Sequence, residues 1–354
     1  MAGGEPMPVG VDDDGRLPMP WLAEPLGQAL RLTTAHALLL HAGLPNGQFE
    51  LAMALSQAWL CETDAAPCGR CKACRQVRQR THPDHRVVVP DALRVAFDWL
   101  SEDDPLLRSG AKPSRELRVE QVRAAIEWSQ RSAGARGVRA LVLHPGDALN
   151  HAAANALLKT LEEPPGGVRI VLTSHDPERL LPTLRSRVQR VRVPLPQREV
   201  ALAWLRQQGV EEGAAMLAMA GGSAVEALAM AGEGIDAQRL AAIPAQLARG
   251  DGAALAGLAL PRVVDLLLKL AHDAMAVAAA GPPRFYGARH LSRPIGIEPL
   301  QRWRDELLRA ARHDEHPWNA ALLVDALVTN GARCWSVPQG ATVGRAGHSL
   351  HSSG

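Results

Sequence analysis

The sequence predicts an α/β unit, a parallel sheet covered by helices, followed by an all-helical C-terminal part. Three observations predict it. Up to about residue 195, short apolar runs alternate with helical segments. Beyond that point strand-like runs disappear and Ala/Leu-rich helical spacing takes over. Aromatic residues make up only 3% of the chain, so its cores must be built from Ala, Leu and Val, a composition that favours helices.

The elements follow in order. Residues 37–40, 86–89, 140–143, 169–172 and 188–193 read as strands. Residues 50–60, 119–131 and 150–163 read as the helices between them. Residues 90–116 are polar and irregular, as an insertion or a mobile loop would be. Helices are expected over 197–208 and 211–220. Gly221-Gly222-Ser223 then breaks the chain, with Ser223 placed to cap the next helix. Further helices are expected over 237–248, 261–280, 299–312 and 318–334. Residues 1–18, with Gly, Pro and the run Asp12-Asp13-Asp14, are expected to be a disordered leader. The Gly-, Ser- and His-rich tail at 336–354 is expected to be disordered too. No internal repeat is visible.

Length and charge narrow the function classes. A chain of 354 residues suggests two or three domains. A formal charge of +2 rules out an overall basic field, so any nucleic-acid contact has to come from a local patch. No run of about 18 apolar residues offers a membrane span. The first residues lack the apolar core of a signal peptide. A cytoplasmic protein without membrane contact is the expectation.

Four of the five cysteines fall within fourteen residues: Cys61, Cys68, Cys71 and Cys74. Two overlapping CxxC units let one turn of backbone supply three thiolates, and Cys61 at the end of the preceding helix closes a tetrahedron. Four sulfurs at about 2.3 Å is the structural zinc arrangement, with no open position for chemistry. Arg70, Lys72 and Arg75 offset the thiolate charge. The expected role is to pin a loop–helix segment, and the spacing leaves an iron–sulfur cluster open. Isolated Cys334 reads as a core residue.

After the first strand comes His41-Ala42-Gly43-Leu44-Pro45-Asn46-Gly47-Gln48-Phe49, then a helix, the setting of a phosphate-binding loop. Such a loop needs a Lys for the phosphates and a Ser or Thr for magnesium. With Gly43 and Gly47 as its glycines, Gln48 and Phe49 stand at those positions, and no Lys occurs before Lys72. The later strand at 140–143 ends in His144-Pro145-Gly146-Asp147, without the acidic pair that would hold magnesium. Asp147, displaced by three residues, reads as a turn or cap residue. Both halves of the ATP chemistry are missing together.

The run Asn150-His151-Ala152-Ala153-Ala154-Asn155-Ala156-Leu157-Leu158-Lys159-Thr160-Leu161-Glu162-Glu163-Pro164-Pro165 is distinctive. It resembles bacterial clamp-loader subunits of the AAA+ family. There a "NALLKTLEEPP" helix follows the acidic strand, with Ala156, Leu157 and Thr160 or Leu161 toward the sheet. Leu172-Thr173-Ser174-His175-Asp176-Pro177 looks like that family's sensor strand. Leu184-Arg185-Ser186-Arg187-Val188-Gln189 looks like its "SRC" motif, with Val188 in place of Cys. The likeness covers roughly residues 20–335.

That resemblance implies an AAA+ α/β module at 19–195 carrying the zinc module 61–74. It also implies a helical lid at 196–235 and an oligomerisation collar at 236–335. It implies a stator, a non-catalytic subunit of a DNA-directed DNA polymerase holoenzyme (a nucleotidyltransferase), with structural zinc and no bound ATP. Three departures from the ATP-hydrolysing members carry this: Gln48, His144 with Pro145, and Val225 where a second sensor arginine stands. Gamma/tau-type and delta subunits would be its partners in a pentamer that loads the sliding clamp onto primed DNA. Arg187 would be an arginine finger lent to the ATP of a neighbouring subunit, with Arg185 next in line. Arg118, Arg123 and Lys159 are candidate phosphate contacts. The competing expectations are an ATP-hydrolysing gamma/tau-type subunit and a zinc-dependent nucleic-acid-binding regulator.

Overall fold

The computed structural model describes residues 10–109, 112–134, 136–312 and 320–335. The chain divides into two compact units, Met1–Trp204 with Ser223–Glu226, and Leu205–Gly222 with Ala227–Gly354.

The first unit holds five strands: β1 (Ala37–His41), β2 (His85–Val88), β3 (Arg139–Leu143), β4 (Val168–Ser174) and β5 (Gln189–Arg192). They pair in the order β2-β3-β4-β1-β5, every pair parallel. The register sets Val88 beside Leu143, Leu143 beside Leu172, and Leu172 beside Leu39. Continuous apolar runs such as Ala140-Leu141-Val142-Leu143 are what a sheet covered on both faces requires, and all four residues are buried.

Around the sheet lie α1 (Ala23–Arg31), α2 (Gln48–Leu60), α3 (Lys72–Arg78), α4 (Asp91–Ala96), α5 (Pro105–Ser109), α6 (Val119–Ser129), α7 (His151–Glu162) and α8 (Pro182–Arg185). Asn150 caps α7, its side chain accepting from the Ala153 amide at 2.9 Å. The buried stripe of α7, Ala153, Ala154, Leu157 and Leu161, packs with Val122 and Ala125 of α6 against Leu39, Leu141 and Ile170. Thr160 is buried as well, while Ala156 is only partly so. Each such leucine stabilises the unit by about 1.5–3 kcal/mol. Helix α2 is buried nearly all round, which explains its unbroken apolar sequence from Leu51 to Leu55.

Two expectations need correction. Residues 10–18 do not form a free leader. Val11 is fully buried, its amide donates to Gln57 Oε1 at 2.6 Å, and Asp13 pairs with Arg78 at 2.6 Å. The apolar side chain and the buried carboxamide outweigh the polar composition that suggested disorder. Residues 1–9 and 336–354 lie outside the described residues. The segment 90–116 is only partly irregular among its described residues. It folds into α4 and α5, which are tied by Arg94 to Asp91 (3.4 Å) and to Asp104, and by Arg118 to Asp91 at 2.5 Å.

The remaining helices are α9 (Arg198–Gln207), α10 (Gly213–Met219), α11 (Ala224–Gly232), α12 (Ala237–Leu247), α13 (Leu260–Ala278), α14 (Ile297–Arg312) and α15 (Ala320–Ala332). Ser223 caps α11, accepting from the Glu226 amide at 3.0 Å. In the second unit Trp303 is buried and donates to the Leu327 carbonyl at 2.9 Å. A Cβ on Gly331 would come within 2.8 Å of that indole, so the close approach of α14 and α15 needs glycine there. Buried Asp273 accepts the amides of Arg284, Phe285 and Tyr286 at 2.7–2.8 Å and so fixes the turn after α13. Cys334 is a core residue, as expected. Among the described residues no single helix is long and apolar enough to cross a membrane.

Candidate functional site: a filled phosphate loop, an arginine turn and a cysteine knuckle

The loop between β1 and α2 lies at the carboxyl end of β1, an interior strand of the sheet, where ligands of parallel sheets bind. Gly47 forms the N-cap of α2 at φ 90°, and a Cβ there would come within 2.6 Å of Met19 Sδ. In a working loop the backbone amides would face phosphate oxygens. Here Gln48 takes that place. Its Oε1 accepts from the Asn46 amide at 2.7 Å, and its Nε2 donates to the Leu44 carbonyl at 3.0 Å and lies 3.0 Å from His175 Nδ1. The loop's other carbonyls are used too. Pro45 accepts from Ser223 Oγ, and Asn46 from Trp21 Nε1 at 3.1 Å. The Asn46 side chain donates to the Pro194 carbonyl at 2.5 Å.

Phe49, at the hydroxyl position, is buried and stacks on His144 with ring centroids 4.4 Å apart. Phe97 also stacks on it at 5.6 Å, nearly parallel, and Trp99 lies tilted at 6.0 Å. Burial, with His175 adding to it, holds the His144 imidazole down at about 3, so it is neutral. Its Nδ1 lies 2.6 Å from Thr173 Oγ1. The place where a phosphate loop needs a magnesium-holding hydroxyl is thus taken up by ring stacking of Phe49 with His144 and Phe97. Asp147 does more than cap its own turn. It accepts from Ser174 Oγ at 2.5 Å and from the His175 and Asp176 amides at 2.7 and 3.3 Å, closing the end of β4.

Arg187 stands between α8 and β5 with about a third of its side chain exposed. It reaches the carboxylate of Glu162 at the end of α7, at 2.5 Å from Nη2 and 2.8 Å from Nε. Its Nη1 donates to the Thr183 carbonyl at 2.7 Å. Arg185 pairs with Glu178 instead. Arg118 is engaged with Asp91, whereas Arg123 and Lys159 are exposed. Val225 is part-exposed within α11.

The four cysteines come together. Cys61 ends α2, Cys71 caps α3, and the four sulfurs all lie within 4.8 Å of one another. Cys61 and Cys71 Sγ are 3.9 Å apart, close to the roughly 3.8 Å edge of a tetrahedron with 2.3 Å metal–sulfur bonds. Burial works against ionising Cys68, but the amide of Cys71 and the hydroxyl of Thr63 outweigh it and draw the thiol down to about 6. Such a cluster can hold a metal and offers no open position. Gly69, at φ 73°, lies against the Asp12 carbonyl, which a Cβ would meet at 1.7 Å, so the knuckle and the 10–16 strap pack together.

Sequence reasoning located the loop, Asp147, Arg187 and the cysteines. It named His175 only within the run at 172–177, and it missed Phe97, Trp99 and the hydrogen-bonding role of Gln48. One signal pointed to the cluster: the chain has three phenylalanines, and Phe49 and Phe97 both sit in it.

Residues 27–197 match the family described as DNA polymerase III, delta subunit. DNA polymerase III subunit delta' of Pseudomonas aeruginosa is 36% identical over 215 residues, covering 59% of this chain and 60% of the relative. The Escherichia coli protein of the same name is 34% identical over 200 residues, covering 55% of this chain and 54% of the relative. The matched stretch thus spans little more than half the length of these relatives. A solved gamma subunit-related protein of Thermotoga maritima superposes with a TM-score of 0.47 at 16% identity, covering 88% of this chain and 99% of its own.

Proposed function

With residues 27–197 carrying the match to the DNA polymerase III delta-subunit family, we propose that this chain is a delta'-type stator of a clamp loader. In this reading it neither binds nor hydrolyses ATP and helps load the sliding clamp onto primed DNA beside gamma/tau-type and delta subunits. The observation that carries the first half is Gln48: its carboxamide oxygen takes the Asn46 amide that a phosphate oxygen would use, and its Nε2 is tied to the Leu44 carbonyl. Filling of the magnesium place by Phe49, His144 and Phe97 supports the same conclusion. DNA polymerase III subunit tau of Escherichia coli is 31% identical over 166 residues, but a gamma/tau-type ATPase would need the Lys that Gln48 replaces.

In the mechanism proposed, Arg187 acts on a partner's nucleotide. Glu162 and the Thr183 carbonyl hold the guanidinium at the surface, extended and charged. When a neighbouring subunit presents its triphosphate, the guanidinium exchanges Glu162 for the phosphoryl oxygens and stabilises the charge that builds there. The first unit supplies this rigid face. The helices after residue 196 serve as lid (196–235) and collar (236–335). Cys61, Cys68, Cys71 and Cys74 would hold a structural zinc that supplies folding energy and no chemistry.

The test is co-purification with gamma-type and delta subunits, together with a nucleotide titration of the isolated chain. A stable assembly and no ATP binding at millimolar concentration are expected. Micromolar ATP binding with turnover would overturn the stator reading. Metal analysis of the purified chain should return one zinc, absent from Cys68→Ser, which should also melt at a lower temperature.

A further inference from the structure

Beside β2, one of the two edge strands of the sheet, opens a cleft of about 550 Å³ that the stator role does not use. The volume is that of a small-molecule site. Arg80, Arg86 and Arg94 line it, with His85, Trp99 and Glu120. Arg94 is already neutralised by Asp91 and Asp104. Arg80 lies 3.9 Å over the Trp99 ring, and neither it nor Arg86 has a carboxylate in ion-pair reach among the described residues. Glu120 is exposed on α6.

The second observation is His85. It is 6% exposed, and neither of its ring nitrogens has a hydrogen-bond partner. Burial, with His82 adding to it, keeps the ring neutral. A buried imidazole that makes no bond forfeits its hydration without return, and such a group needs a reason. Two uncompensated guanidiniums lining the same cleft supply one.

We propose that this cleft binds a phosphate oxyanion, gripped by Arg80 and Arg86 and receiving an N–H bond from His85, whose covered ring must turn toward the cleft to make it. The aromatic wall does not read a base. Arg80 covers the face of Trp99, and Phe97 packs against it at 4.9 Å. Recognition is therefore of charge and shape, without base preference. Two sources carry this chemistry: a free diphosphate and the backbone of a single-stranded nucleic acid. The inference is independent of the loader assignment.

The test uses the full chain with two probes, pyrophosphate by calorimetry and a labelled twelve-nucleotide oligothymidine by fluorescence anisotropy. Wild-type protein should bind at least one, and Arg80→Ala/Arg86→Ala should weaken that binding tenfold or more with an unchanged melting temperature. Pyrophosphate binding alone assigns the free anion. Oligonucleotide binding assigns the strand, and the salt slope of the double variant should then be smaller by roughly 0.7 for each phosphate it no longer grips. His85→Leu should raise the melting temperature while weakening binding, as befits a group kept for a ligand. The proposal is overturned if neither probe binds at millimolar concentration, if the double variant binds as wild type does, or if His85→Leu lowers the melting temperature.

Discussion

The β1–α2 loop and the α8–β5 turn lie at opposite ends of the parallel pair β1 and β5 and have opposite chemistry. In the loop one amide and three carbonyls are bonded to side chains of the same unit, although Asn46 Oδ1 is buried without a partner. Gln48 holds Asn46 and Leu44, Ser223 holds Pro45, and Trp21 holds Asn46, over a stack of three rings. At the turn, Arg187 keeps one carboxylate, one carbonyl and the Ser186 hydroxyl and remains a third exposed. On the proposed reading, the loop's polar groups have been turned into packing, while a side chain beside the same sheet is left open to another molecule. The difference is one of desolvation: the loop's groups would have to break good bonds to meet a phosphate, whereas Arg187 exchanges a single surface pair, worth about 1 kcal/mol or less.

The contrast can be broken most sharply at Arg187. In a reassembled loader, Arg187→Ala should lower clamp- and DNA-stimulated ATP hydrolysis by on the order of 10³-fold or more. Steady-state turnover measures it, and an unchanged rate would leave Arg187 as a local ion pair. On the other side, Phe49→Ala should cost about 3–5 kcal/mol of stability, as expected of a core aromatic and read from urea denaturation. Gln48→Lys alone should fail to confer ATP binding, because Phe49 and His144 still hold the magnesium place.

The smallest effect concerns acid. Burial holds His144 and His85 at about 3, well below the ordinary 6.5. A depressed histidine contributes stability that is complete above pH 6.5 and is lost as pH falls toward 3, because the unfolded chain takes up the proton that the folded one refuses. Denaturation midpoints should therefore drop from pH 7 to pH 5.5, by about 1.4 kcal/mol per pH unit below 6.5 for each imidazole. His144→Gln should roughly halve that slope.

Much of this was legible in the chain. Strand β3 announces itself because a strand covered on both faces has no polar position to interrupt it, and α7 because its cap, apolar stripe and Pro164-Pro165 stop agree. The cysteine knuckle is read from spacing alone. What stayed hidden depends on residues distant in sequence that meet in space. Phe97 and Trp99 belong to a polar stretch and acquire meaning only against Phe49. Val11 looks solvated until Gln57, forty-six residues on, receives it. Composition reports what a segment can do on its own and says nothing of the partner that folds it.

The strand order has a consequence for how this protein is made. β1 is flanked by β4 and β5, and the residues that pair with it begin at Ile170 and Gln189. A growing chain therefore completes its most apolar strand long before either neighbour exists. Until residues 168–192 leave the ribosome, Leu38, Leu39 and Leu40 have no edge to join, and so long a wait favours slow, late closure of the sheet. Synthesis halted before residue 168 would leave β2 and β3 able to pair with each other while the middle of the sheet stayed bare, a state open to aggregation or to chaperone capture.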